Sequence, residues 1–96
     1  MINIPNTTIE ELKNGSGEIV LYKITPNEGY LLHNSVNDYT EPDEQTGEEV
    51  LHLGFSPSPS TVPADYDFDN TAEIDGHTAY GSKQICAIPK DDVDAG

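Results

Sequence analysis

The sequence predicts an α+β fold: a small, mainly antiparallel β-sheet with a short N-terminal helix and a long extended connector. Residues 18–33 form the densest apolar stretch, with β-branched and aromatic residues on both alternating faces, and Pro26-Asn-Glu-Gly29 divides it into two strand-like halves. Seven Pro and 8 Gly in 96 residues favour a loop-rich chain over a helical bundle, and an apolar content of 34% favours a thin core. A chain of this length makes one domain, 1–96, that buries roughly 60–65% of its unfolded surface.

Taken in order, Ile2 and Ile4 alternate in a short lead that Pro5 stops. Residues 7–14 read as one or two helical turns, because Thr7 with Glu10, or Thr8 with Glu11, makes a capping box and Gly15 suits a left-handed end. Ile9 and Leu12, three apart, would then share a face that docks on the sheet, so 1–17 form a helical lead. Residues 18–89 supply the sheet. A strand over 18–25 turns Val20, Tyr22 and Ile24 inward, the proline and glycine of 26–29 suit a tight turn, and a second strand follows over 29–34, the two making the hairpin on which the rest is expected to fold. Residues 43–47 make a hairpin loop, and 48–55 return with Leu51, Leu53 and Phe55 to the core and Val50 and His52 on the other face. The connector, 56–82, opens with three prolines in the eight residues 56–63 and reads as a polyproline-like spacer. The missing flanking arginine and the acidic context speak against an SH3 or WW ligand there. A closing strand over 83–89 carries Ile85 and Ile88, and the acidic tail, 90–96, is expected to fray.

Charge separates the function classes. Against 18 Asp and Glu stand 4 Lys and no Arg, a formal net charge of −14. Direct binding to nucleic acid or to an anionic membrane is disfavoured, whereas a basic protein surface would be attracted in a salt-sensitive way. From Ile24 to Ser82 there are twelve acids and not one Lys or Arg. The candidate partner contacts are Asp38, Glu41, Asp43, Glu44, Glu48, Glu49, Asp65, Asp67 and Asp69. The last three alternate with Tyr66 and Phe68; in an extended strand such carboxylates repeat every ~6.6–6.8 Å, close to the spacing of nucleic-acid phosphates. The bland reading of the same row is a solvated edge strand whose charges prevent aggregation.

Catalytic and metal chemistry find little support. Asp65, Asp67, Asp69 and Glu73 fall at positions 1, 3, 5 and 9 of a calcium loop, but Asn70 replaces its glycine and Gly76 its bidentate glutamate. His33, His52 and His77 match no zinc spacing, and Cys86, flanked by apolar residues, has nothing near it in sequence to activate a thiol. The adjacent pairs Asp43/Glu44 and Glu48/Glu49 point to opposite faces of a strand and cannot flank one bond. No phosphate loop is present, so neither an enzyme, a metal nor a cofactor is expected. The single cysteine excludes an internal disulfide, and no leader or membrane-spanning run is seen, which makes the cytoplasm the expected setting.

Tyr22-Lys-Ile-Thr-Pro-Asn-Glu-Gly-Tyr-Leu-Leu-His33, followed by Thr46-Gly-Glu48, Leu53-Gly-Phe55 and Tyr66-Asp-Phe68, resembles short uncharacterised acidic proteins of gut Firmicutes and their phages or mobile elements. The resemblance implies a small accessory gene and transfers no functional residue. Small acidic phage proteins include anti-CRISPR inhibitors and other blockers of host nucleases. The expected function is therefore a non-catalytic, phage-encoded, anti-CRISPR-like or DNA-mimicking inhibitor of a basic nucleic-acid-handling host protein, such as a nuclease. The alternative is a structural or assembly module of a phage particle or surface complex, associating through Tyr30, Tyr39 or Tyr80. A third reading is salt adaptation of an ordinary domain.

Overall fold

The computed structural model describes residues 2–74, 76–81 and 84–95. Its elements are β1 (Thr7–Lys13), β2 (Ile19–Pro26), β3 (Tyr30–His33), a 3-10 turn (Ser35–Asn37), β4 (Tyr39–Pro42), β5 (Glu49–His52), β6 (Phe55–Ser56), β7 (Ser60–Pro63), β8 (Thr71–Ile74), β9 (His77–Tyr80), β10 (Cys86–Pro89) and α1 (Lys90–Ala95). Among the described residues these form two three-stranded sheets, β1-β2-β7 and β10-β3-β6, and two hairpins, β4-β5 and β8-β9. The fold is β rather than α+β, and the one α-helix among the described residues lies at the C-terminal end, not the N-terminal one.

The expected helix over 7–14 is strand β1. It pairs antiparallel with β2, from Thr7 opposite Pro26 to Lys13 opposite Ile19, with a bulge after Leu12. Thr7, Thr8 and Ile9 are β-branched, and so short a helix gains little by itself, whereas a ladder to β2 satisfies the backbone along the whole segment. Alternation places Ile9 beside Ile24 on the core face and Leu12 beside Leu21 on the outer one, so the spacing of three does not make a common face. Asn14 and Gly17 close a hairpin instead of capping a helix: Asn14 Oδ1 accepts from Ser16 N and Glu18 N, and Gly17 takes φ +83°.

Between the two three-stranded sheets lies a core of Ile4, Ile24, Leu32, Val62 and Ile85, with Ile9, Tyr22, Tyr66, Phe68 and Tyr80 packed against it. The opposite face of β10-β3-β6 carries Cys86 and Ile88, which with Ala79 form a second core under Phe55, Ile74 and Val93. Since Ile74 and Ala79 belong to the β8-β9 hairpin and Val93 to α1, that sheet is the middle layer of three.

Further expectations are corrected by this packing. Residues 56–82 are not a bare connector, because β7 pairs with β2 and buries Val62, and β8-β9 covers the second core. The expected strand over 48–55 is split into β5 and β6, and Leu51, expected inside, is 58% exposed. Val20, beside the bulge, also points out. The tail is helical over Lys90–Ala95, docked by Val93 and by a hydrogen bond from Lys90 N to Gly29 O of 3.0 Å. Closing strand β10 begins at Cys86, and Lys83, expected to start it, lies outside the described residues.

The molecule measures 55 × 24 × 21 Å with a radius of gyration of 15.0 Å, against roughly 12–13 Å for a compact domain of this length. The excess agrees with a β4-β5 hairpin whose strand residues are nearly all exposed. Replacing Ile24 by Ala should lower stability in urea unfolding by about 2–5 kcal/mol. Leu51→Ala should change it by less than about 0.5 kcal/mol; equal losses at the two positions would contradict this division into core and arm.

Candidate functional site

The root of the β4-β5 arm is built by residues 33–38 and Gly54. Asn34 caps the 3-10 turn by accepting from Val36 N and donates through Nδ2 to Ser60 Oγ at 3.0 Å. Asp38 Oδ1 accepts from Gly54 N at 2.8 Å and lies 3.1 Å from Nε2 of the fully buried His33. A carboxylate only accepts, so His33 Nε2 is the donor, while among the described residues Nδ1 has no hydrogen-bond partner. The His33 ring in turn lies against Phe55, with centroids 5.2 Å apart. Glycine at 54 is required by crowding: a Cβ there would fall 2.6 Å from the Asn37 carbonyl carbon and oxygen. The beginning of β4 and the end of the return are thereby fastened to each other and to the middle sheet.

Beyond the root, Tyr39 pairs with His52, Thr40 with Leu51, Glu41 with Val50 and Pro42 with Glu49. Alternation gives one face Tyr39, Glu41, Val50 and His52, and the other Thr40, Pro42, Glu49 and Leu51. The Tyr39 and His52 rings stack at 4.9 Å and 13°, and His52 Nε2 stands 3.9 Å from Glu41 Oε2. At the tip, Asp43 Oδ1 accepts from Gln45 N at 2.7 Å and Thr46 N at 3.0 Å, and Asp43 N donates to Glu48 O at 2.8 Å. The two side-chain bonds hold the Asp43 carboxyl below its ordinary value of 3.8. A shallow groove of about 430 Å³ runs beside Glu41, Asp43, Glu44, Gln45, Val50 and His52. Both faces of the arm are open, with Tyr39 55% and Val50 41% exposed on one and Leu51 58% on the other.

The predicted contact residues thus fall into three groups. Glu41, Asp43, Glu44, Glu48 and Glu49 are brought together on the arm. Asp38 belongs to the root and its carboxylate is engaged twice. Asp65, Asp67 and Asp69 lie in a bend rather than a strand: Tyr66 and Phe68 do turn inward, but Asp67 Oδ1 accepts from Asp69 N and Asn70 N at 3.1 and 3.3 Å. A straight ladder of three carboxylates is not formed. The aromatic pair fastens this bend to the body, with Phe68 edge-on to Tyr22 at 5.7 Å.

The histidines are dispersed among the root, the arm and β9, where His77 Nε2 meets Asp92 Oδ2 at 3.1 Å. Among the described residues no three His, Cys, Asp or Glu side chains gather as metal ligands would. Cys86 is buried in β10, and burial pushes its thiol up to about 11. The features missed from the sequence are the Tyr39–His52 stack and the exposure of Leu51. A signal was available in the acids that run up to Leu51, at 41, 43, 44, 48 and 49. No family model matches the chain, nor does any curated protein or solved structure. Among the described residues no helix is long and apolar enough to cross a membrane.

Removing the Asp38 carboxylate leaves Gly54 N and His33 Nε2 without their acceptor. Asp38→Ala should therefore lower stability by about 1–3 kcal/mol and speed exchange of the Gly54 amide, with Asp38→Asn intermediate; an unchanged melting curve would remove Asp38 from this role. Because the Asp43 carboxyl is lowered on folding, its contribution to the turn is present above pH 3.8 and fades as pH falls from there through the lowered value. Protection of the Gln45 and Thr46 amides, taken relative to their intrinsic exchange at each pH, should fall over that acid range in the native chain, and should be reduced at every pH above it in Asp43→Ala.

Proposed function

We propose that this chain is a non-catalytic acidic binding protein, of phage or mobile-element origin and working in the cytoplasm, that blocks a basic nucleic-acid-handling protein with its β4-β5 arm. The observation that carries the reading is the arm itself. It presents Glu41, Asp43, Glu44, Glu48 and Glu49 on a ribbon open on both faces, in a chain without a Lys or Arg between Lys23 and Lys83. With no lysine or arginine near them in the sequence, their field extends into solvent, where it steers a basic partner and opposes copies of the chain. Each strand spans roughly 13 Å, enough to enter a groove that otherwise admits a nucleic-acid strand. The exposed Tyr39, Val50 and Leu51 add apolar contact, which charge alone does not supply.

The lone thiol fits a reducing compartment. Assembly into a particle or surface complex is the competing reading, favoured by the apolar residues on the arm. Of the three tyrosines suited to self-association, Tyr39 is exposed, while Tyr30 and Tyr80 are half-buried.

Capture at low salt and at about 0.5 M, where the screening length has fallen to roughly 4 Å, tests the proposal. A nuclease or other basic nucleic-acid enzyme should be retained at low salt and displaced by salt or by added DNA. Changing Glu41, Glu44 and Glu48 together to Lys should weaken retention at least about tenfold while leaving the unfolding midpoint near the native one. Retention that ignores these three changes, or association of the chain only with itself, would refute the arm as an inhibitory surface.

A further inference from the structure

The inhibitor reading specifies a basic partner but not which cation the arm recognises. We infer that the Tyr39, Glu41, Val50 and His52 face takes an arginine side chain from a partner protein, with the guanidinium laid on the Tyr39 ring and paired with the Glu41 carboxylate. The inference rests on the arm being the binding surface. A two-stranded ribbon open on both faces is marginal in water, so this face is an unpartnered one. Charge complementarity names its occupant. A second copy would set five carboxylates against five, whereas a cationic segment neutralises them.

Side-chain geometry favours arginine over lysine. His52 stacks on one side of Tyr39, and the tyrosine remains 55% exposed, so an aromatic surface is left open. Glu41 Oε2 is 3.9 Å from His52 Nε2, too long for a hydrogen bond, which leaves the Glu41 oxygens able to accept from a ligand. Val50 stands opposite Glu41 and gives the methylene stem an apolar floor. A guanidinium is planar, weakly hydrated and able to stack and pair with a carboxylate together; an ammonium is a strongly hydrated point charge that gains less from a ring.

The test is an NMR titration of the ¹⁵N-labelled full chain with acetylated hexa-arginine amide and hexa-lysine amide at equal ionic strength. The arginine peptide should bind roughly two- to fivefold tighter, the size of an exposed cation–π contact, with the largest shifts at Tyr39, Glu41, Val50 and His52. Tyr39→Ala should abolish the preference without lowering lysine-peptide affinity, Tyr39→Phe should retain it, and Glu41→Gln should weaken the arginine peptide more than Glu49→Gln on the other face. Equal affinities with shifts confined to the arm would overturn the arginine site and leave the acidic-arm reading standing. Shifts centred on 65–69 or on α1, or no binding at the arm, would overturn both.

Discussion

The alternation of Leu32 and His33 along β3 holds the molecule together, because successive residues of a strand face opposite ways and these two face different cores. Leu32 packs with Ile24 and Val62 of the neighbouring sheet, while His33 lies in register with Cys86 and Phe55 on the side closed by β8-β9 and α1. The same histidine grips Asp38. One four-residue strand therefore joins two apolar layers and the root of the arm, and a shift of one residue in its register would exchange all three sets of contacts.

The forces along the arm are unequal. The exposed contact of Glu41 with His52, at 3.9 Å, contributes at most about 1 kcal/mol, and a pair of stacked rings about 0.5–1.5 kcal/mol. At the root, by contrast, a buried imidazole and a backbone amide share one carboxylate, and losing that acceptor would strand both donors. The arm is thus held from its base more than along its length. Its carboxylates can remain concentrated there because neither apolar layer has to accommodate them.

Much of the sheet was legible. Apolar alternation and the turn before Tyr30 located β2 and β3, with Tyr30 N closing on Asn27 O at 3.0 Å and Gly29 at φ +89°. The two do not form the expected hairpin, however: β2 pairs with β1 and β7, and β3 with β10 and β6. The 43–47 loop was also read correctly, since its polar residues and Gly47 satisfy local geometry. Local signals misled where a distant strand decided: Thr7 and Glu10 look like a capping box until β2 lies alongside. Pro57 and Pro59 mark a break, but Pro63 can end β7 because a strand terminus need not donate. Periodicity identified two faces around Leu51 without revealing that Val50 on one and Leu51 on the other are both exposed. In the same way, composition located the acidic region, yet which carboxylates are free depends on backbone bends, as the engagement of Asp38 and Asp67 makes plain.

The joining of Asp38 to Gly54 has an evolutionary consequence. A chain whose exit and return are tied together at one root makes a closed excursion, and lengthening such an excursion changes closure entropy only slowly, by about 0.6 kcal/mol per doubling. Residues 39–53 are therefore a graftable cassette. Substitutions and insertions at its tip can accumulate while the two cores, and with them the capacity to fold, are inherited unaltered.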